Sequence, residues 1–508
     1  MLSFISLVLS LSYLPLIITI YQQAHYHIKE YLNYFIRHFY LELLILMVYL
    51  IYFISGYISL IMAFLILVYL LYLYSKLRIK LKFTKRIIRL FIIMIPFLYI
   101  NSYLCISYLF IFILCIPFFI SNLIERKISH YYLKKAILKR KEFNHDVIGI
   151  TGSFAKTTTK YFMSQILDDI TPLATKASYN TLNGISLELN NHNLKYYNAL
   201  ILEMGSNHIN DIKKLTSAFF PNIAVVTGIG PMHLDSFKNI SNIIKEKMSI
   251  IDGLGEKGIA ILNYDNEYLR NYSYNGTSYL ISYGKNADFS YQILEDYVNI
   301  YAYNEFVFKF KNNGYDEIDI SNMMPGIILG VLYKIDYNQL IFRLENIKRP
   351  ASRQRILEIG NSIIIDDSFN SNLKGALKAL EQLKHYNKKK IIITPGFVEC
   401  KKLLPNLYLK YAKRINEICD YAYIVKLSTS KILYDLIEIN HSYVRSVDEA
   451  RLMLSFNNEA VLIENGLVKA IGDPFDVSDQ YSFDNLESNS HHHGDEDEGL
   501  VTTEVEDF

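Results

Sequence analysis

From Val147 to Lys160 the chain reads V-I-G-I-T-G-S-F-A-K-T-T-T-K. An apolar run ends in a turn of small residues. Lys156 and a cluster of threonines then open a helix-like segment through Leu167. This order predicts a buried strand, a tight turn and a helix N-terminus. Backbone N–H groups and the helix dipole favour an anion at such a point, a lysine adds a point charge, and a hydroxyl can ligate Mg²⁺. Thr151, Gly152, Ser153, Lys156, Thr157 and Thr158 are therefore the candidate phosphate-cradling residues. The bland alternative is a strand–turn–helix with a chance lysine, because this pattern alone has many false positives.

The segments that follow alternate between strand-like and helix-like patterns. Residues 198–203 (N-A-L-I-L-E) read as a buried strand with Glu203 at its carboxyl end, where a carboxylate can hold the same ion as Thr157. Further strands are expected at 222–227, 258–263 and 278–283, with helices at about 209–218 and 239–253. Alternation of this kind predicts a mostly parallel sheet with ligands at the carboxyl ends of its strands. Period-two stretches over 288–320 predict antiparallel strands, followed by a helix at about 325–337. The polar, basic stretch near residue 348 marks a boundary. Beyond it, strands are expected at 362–366, 390–394, 422–426 and 460–464, with helices at about 373–386 and 403–418.

Ahead of the phosphate-loop pattern, the chain is apolar enough for a bilayer. A crossing helix needs ~20 apolar residues. Five runs qualify, at about 2–21, 40–55, 57–75, 87–100 and 103–121, although some are short and four is an alternative count. The first lacks the basic start and small-residue cleavage site of a signal peptide. Lys76, Arg78, Lys80, Lys82, Lys85, Arg86 and Arg89 crowd one loop, and Arg126, Lys127, Lys134, Lys135, Lys139, Arg140 and Lys141 follow the last run. Basic loops stay on the cytoplasmic side. Five spans then put everything after residue 122 in the cytoplasm. No charged residue lies deep inside a span, and Glu42 reads as near an end. An anchor or docking surface is favoured over a transporter. Residues 123–145 read as a basic linker, either lying on anionic headgroups or simply solvated.

A net charge of +2 over 508 residues gives no global nucleic-acid signal. Cys105, Cys115, Cys400 and Cys419 have neither metal-ligand spacing nor a disulfide framework. The acidic end of the chain, residues 473–508, reads as disordered.

Six separated stretches stand in the order seen in Mur ligases. They are T-G-S-F-A-K-T-T (Thr151–Thr158), L-E-M-G-S-N-H (Leu202–His208), H-L-D (His233–Asp235), I-K-E-K (Ile244–Lys247), D-D-S-F-N-S-N (Asp366–Asn372) and T-P-G-F-V-E (Thr394–Glu399). Together with S-Y-N-T-L-N-G (Ser178–Gly184), they make the chain resemble this family over about 146–465, and most of all its member that joins D-alanyl-D-alanine to a UDP-MurNAc-peptide. The resemblance implies an α/β architecture. N-terminal transmembrane helices (1–122) and the linker (123–145) would precede a P-loop, Mur-ligase-like central domain (146–347) and a Rossmann-like C-terminal domain (348–472).

The same resemblance implies ATP and Mg²⁺, with UDP-MurNAc-peptide and D-Ala-D-Ala as substrates. Lys156 would meet the phosphates, and Thr157 and Glu203 the metal. His233 would help hold a second Mg²⁺. Lys247 would be carbamylated into an anionic metal ligand, with Lys245 as its rival. Arg353, Asp367 and Asn370 would face the nucleotide, and Asn183 and Ser186 the sugar-peptide. Membrane-bound cell-wall enzymes are the expected partners.

The chain departs from the family at several points. Ala155 replaces the glycine expected before the P-loop lysine, and a methyl group there crowds phosphate or strains the backbone if φ is positive. Leu373 stands where proline is common. Residues 466–477 faintly resemble the C-terminal hairpin of ABC-transporter ATPases, with no such core before them. Two other readings remain: an amide ligase of the folylpolyglutamate or cyanophycin type, and a catalytically weakened membrane-bound scaffold.

Overall fold

The structure is a computed structural model. It describes residues 1–24, 26–76, 81–176, 179–232, 234–255, 257–274, 276–349, 355–367, 373–397, 404–427 and 430–464. His233, Arg353, Asn370, Cys400, the 466–477 stretch and the acidic tail therefore lie outside the described residues.

Among the described residues four helices are long and apolar enough to cross a membrane: Leu2–Gln23, Gly56–Ser75, Lys85–Leu104 and Ser107–Glu142. The run expected at 40–55 is shorter than a span. It forms the 13-residue helix Tyr40–Tyr52, which rises about 20 Å at ~1.5 Å per residue, against a hydrocarbon core of ~30 Å. It makes a fifth crossing only if joined to Ile28–Arg37, from which it is bent by 67°. Leu2–Gln23 is the inner helix, 67 % buried, whereas Lys85–Leu104 is only 22 % buried and turns apolar surface outward. Glu42 sits in the first turn of Tyr40–Tyr52 but is enclosed, 2 % exposed.

Polar groups hold this bundle at both ends, as hydrogen bonds do where lipid gives helices no hydrophobic reason to pair. Asn101 donates to Ser10 at 2.6 Å, and Ser6 and Ser107 share a hydrogen bond of 2.5 Å. At the other end Arg89 makes a two-pronged pair with Glu125 at 2.7 and 2.8 Å, and Arg86 donates to Asn122 at 2.7 Å. Part of the basic loop thus ties helices together.

The last helix continues out of the apolar region as Cys115–Glu142. One face of its final turns packs on the α/β core. Ala136 is fully buried in the core that holds Phe143, Val147 and Leu200. The Lys139 ammonium donates to the carbonyls of Leu189, Asn190 and His192 at 2.9–3.0 Å. The Arg140 guanidinium donates to Phe219 and Phe220, both at 2.7 Å, and to Phe143 at 3.0 Å. These carbonyls close the helices Leu182–Asn191 and Asp211–Phe219, whose carboxyl ends carry unpaired C=O groups and partial negative charge. Lys134, Lys135 and Lys141 stay exposed. Arg140→Met is expected to cost about 1.5–3 kcal/mol, the range for charge-assisted hydrogen bonds, read as a lower unfolding midpoint of the detergent-solubilised protein.

Nine strands follow: β1 (Asp146–Thr151), β2 (Pro172–Ala174), β3 (Ala199–Glu203), β4 (Ile223–Val226), β5 (Ile259–Asn263), β6 (Tyr279–Tyr283), β7 (Phe289–Ile293), β8 (Tyr297–Ala302) and β9 (Glu305–Lys311). They form one sheet in the order β2-β3-β1-β4-β5-β6-β7-β8-β9. Neighbours are parallel from β2 to β7 and antiparallel from β7 to β9. The parallel strands are apolar on both faces because both are covered, as such sheets require. Ile148, Ile150 and Val225 pack with Met163 and the helix Glu317–Leu332 on one side; Val147, Leu200 and Leu202 pack with Ile250 on the other.

The antiparallel strands end earlier than the pattern over 288–320 predicts. Asp316 accepts from the N–H groups of Ile318 and Asp319, and Asp319 returns the contact, so a capping box starts a helix at Glu317.

A second sheet holds β10 (Arg355–Ile359), β11 (Ser362–Asp367), β12 (Lys389–Thr394), β13 (Tyr421–Val425), β14 (Asn440–Val444) and β15 (Glu459–Glu464), in the order β10-β11-β15-β12-β13-β14. All pairs are parallel except β10 with β11. Lys378, from the helix Leu373–Lys384 beside it, reaches Asp316 at 3.0 Å and Asp319 at 3.6 Å.

Candidate functional site

β1 lies between β3 and β4. The chain leaves its carboxyl end and winds to one side through β2 and β3, then crosses to β4 on the other. A crevice opens at such a reversal, outside the strand ends, and the phosphate-loop pattern occupies it. Thr151 ends β1 and its hydroxyl donates to the Met204 carbonyl at 2.8 Å. Gly152 has φ +152, and a Cβ there would lie 2.2 Å from the Thr227 hydroxyl oxygen. Ser153 N–H donates to Gly228 O at 2.8 Å. Lys156 starts the helix Lys156–Ile166 and its ammonium donates to the Gly152 carbonyl at 2.9 Å, curling over the turn. Ala155 has φ +66 and ψ −3. The replaced glycine was thus a left-handed position, which an L-residue with a Cβ holds at a cost of ~1–2 kcal/mol.

The helix then brings its side chains to β3. The Thr157 hydroxyl donates to Glu203 Oε1 at 3.1 Å, and Asn180 Nδ2 donates to the same oxygen at 3.3 Å. Lys160 Nζ lies 3.0 Å from Glu203 Oε2, with side chains 4 % and 1 % exposed. Burial alone would raise the Glu203 carboxyl. The Lys160 and Lys156 ammonium groups more than offset it and hold it below the usual carboxylate range. Thr158 points inward, 9 % exposed.

Lys160, Asn180 and Thr175, which is 3.4 Å from Lys160, have no role in the sequence reading. Lys160 carries a signal: it stands four residues after Lys156, so it shares that lysine's helix face.

Lys247 and Lys245 separate clearly. Lys245 is exposed. Lys247 is 3 % exposed and donates to Ser206 at 2.7 Å, just beyond Glu203. Burial, reinforced by the Lys156 charge, pulls its amine down to about 7. Its neighbour Glu246 accepts the N–H groups of Asn210 and Ile212 at 2.7 and 2.8 Å, fixing that turn. Ser186 is buried and donates to the Leu182 carbonyl of its own helix at 2.6 Å; Asn183 is half-buried. Asp367 ends β11, 8 % exposed, in register with Glu464.

The hard-oxygen set of Glu203, Thr157 and Asn180 suits Mg²⁺, which takes one or two carboxylates and completes its shell with phosphate and water. No group of three or more His, Cys, Asp or Glu residues converges among the described residues.

Comparison with known proteins agrees with this geometry. Residues 150–327 match the Mur ligase middle domain, so this stretch is similar to the central domain of the Mur ligases. Ligases of one name recur among the relatives. The chain is 26 % identical over 265 residues to the UDP-N-acetylmuramoyl-tripeptide–D-alanyl-D-alanine ligase of Haemophilus influenzae, covering 50 % of this chain and 57 % of that protein. It is 28 % identical over 346 residues to the ligase of the same name from Rickettsia prowazekii, covering 62 % and 73 %. The MurF ligase of Thermotoga maritima in complex with ADP superposes with a TM-score of 0.57 at 22 % identity, over 66 % of this chain and 80 % of that one. The chain thus spans little more than half the length of the first of these relatives.

Proposed function

We propose that the chain is a membrane-tethered, ATP- and Mg²⁺-dependent ligase that joins D-Ala-D-Ala to the peptide of a UDP-MurNAc-peptide. The observation that carries this reading is the meeting of Lys156, Thr157 and Glu203 at the carboxyl ends of β1 and β3. The relatives' names supply the substrates. The peptide carboxylate attacks the γ-phosphorus of ATP, ADP leaves, and an acyl phosphate forms. The D-Ala-D-Ala amine attacks its carbonyl carbon, and the tetrahedral intermediate expels phosphate and a proton.

Lys156 swings from the Gly152 carbonyl to the phosphates, where its charge counters the negative charge on the phosphoryl oxygens. Thr157 and Glu203 would hold Mg²⁺, which would supply charge neutralisation at the phosphates. His233 and Lys247, the latter as a carbamate, would hold a second ion, and Thr151, Gly152, Ser153 and Thr158 would line the cradle. Asp367, at the end of β11, would serve the nucleotide together with Arg353 and Asn370. The apolar helices anchor the enzyme, with the ligase part cytoplasmic on the basic-loop argument, within reach of membrane-bound cell-wall enzymes.

The test is ADP release that requires both UDP-MurNAc-tripeptide and D-Ala-D-Ala. Release driven instead by another acceptor amino acid favours the folylpolyglutamate or cyanophycin type of ligase.

The left-handed Ala155 is the one observation that favours a weakened scaffold. Ala155→Gly is expected to stabilise the protein by about 1 kcal/mol by removing that strain, seen as a higher melting temperature. An active ligase turns over before the change; a scaffold gains turnover only with it.

A further inference from the structure

Phe154 is the second unusual residue of the turn, and its ring is seated on two glycines. A Cβ on Gly228 would lie 2.5 Å from Phe154 Cε2 and 2.6 Å from Cζ, and one on Gly230 would lie 3.1 Å from Cε1. Gly228 and Gly230 have no positive φ, so the space they leave explains them, not backbone freedom. Polar contacts flank the ring. Thr227 Oγ1 donates to the Phe154 carbonyl at 2.5 Å. Ser153 N–H donates to Gly228 O, Ser153 Oγ donates to Gly230 O at 3.1 Å, and the Gly230 N–H returns to Ser153 Oγ at 3.1 Å. The phosphate turn and the 227–230 segment are therefore one clasped unit, and three residues beyond Gly230 the chain reaches His233.

We propose that Phe154 is a positioning residue. Its ring, locked over Gly228 and Gly230, holds Ala155 left-handed and sets the distance between Lys156 and the 227–230 segment. The ring replaces the conformational freedom that a glycine at 155 would supply: the turn is held in place from outside. The proposal rests on the reading of this turn as a nucleotide site.

Two measurements on the full-length protein in detergent test it. Hydrogen exchange of the ligand-free protein reads the clasp itself. Phe154→Ala raises exchange at the amides of Gly228, Ile229, Gly230 and Met232 at least tenfold, and Phe154→Leu raises it less. Calorimetric titration with MgADP reads the consequence. Phe154→Ala weakens binding about tenfold, and Phe154→Leu recovers most of it. Gly228→Ala weakens binding because its methyl group strikes the ring. The double change Phe154→Ala/Gly228→Ala binds better than Gly228→Ala alone, which independent contributions would not produce. Unchanged exchange in Phe154→Ala overturns the clasp, as does MgADP affinity within twofold of wild type, or a double variant no better than Gly228→Ala. Wild-type protein that exchanges slowly at those four amides yet fails to bind MgADP overturns the nucleotide reading and the positioning role with it, leaving a structural contact only.

Discussion

Glu203→Ala is expected to destabilise the protein by about 3–5 kcal/mol, the cost of stranding one member of a buried ion pair, as well as to remove metal-dependent turnover. The carboxylate and the Lys160 ammonium are both almost wholly enclosed, 3.0 Å apart. A lone ammonium there loses its counter-charge and keeps its desolvation cost. Lys160→Met combined with Glu203→Leu should therefore recover much of the stability, since well-packed apolar replacements of a buried pair are often neutral or better, while turnover stays absent. Urea unfolding of wild type, Glu203→Leu, Lys160→Met and the double variant closes the cycle. Equal losses for the single and double variants would falsify the pairing.

The pH dependence follows from the direction of the Glu203 shift. Its folded value lies below the unfolded one, so the stabilisation is complete above about pH 4.3 and disappears as pH falls through the folded value. Glu203→Gln should lose that part of the acid slope.

Lys247→Met is expected to lower turnover by roughly 10²-fold or more, the size of effect seen when one charge-stabilising group is removed, and to stabilise the fold at pH 6 by replacing a buried amine with an apolar chain. The amine is pulled down to about 7, chiefly by burial, against ~10.4 for an unperturbed lysine. Between those values the unfolded chain binds the extra proton, so stability rises with pH across that window and flattens above it. Below pH 7 the folded protein carries the enclosed charge. The neutral amine is also the form that can take up carbon dioxide, so wild-type turnover should fall below pH 7 and respond to added bicarbonate. Labelled bicarbonate gives a direct readout: a carbamate carbon signal in wild type that is absent from Lys247→Met. Its absence from active wild-type enzyme removes the carbamate from the mechanism.

Local pattern carried much of the fold. The apolar run at 147–151, the turn and the lysine led to a strand, a cradle and a helix because each depends on residues close in sequence. The four long parallel strands were legible for the same reason. Elements set by partners were not. The three-residue β2 exists by pairing with β3, and β14 alternates too weakly to stand out until β13 lies beside it. The Leu182–Asn191 helix was missed although Thr181 caps it by accepting from Gly184 N–H, because S-Y-N-T-L-N-G reads as turn chemistry. The end of the antiparallel strands was announced by Asp316 and Asp319, and the period-two pattern hid it.

At the site, Glu203 and Lys156 were legible from strand end and motif, whereas Lys160 offered only its four-residue spacing from Lys156 until β3 stood beside the helix. Lys247 could be told from Lys245 by burial alone, which depends on the face a helix turns to its neighbours. The seat of Phe154 was least legible, since it joins residues more than seventy apart.

The unbroken rod from Cys115 to Glu142 bears on how this molecule can be divided. Its last turns form a wall of the α/β core, through Ala136, and close two of that core's helices with Lys139 and Arg140. A soluble version trimmed to begin at Asp146 would lose that wall and those closures together, so shortening the chain to a water-soluble enzyme must retain at least residues 133–145. One continuous helix therefore links the apolar helices to the α/β part of the chain.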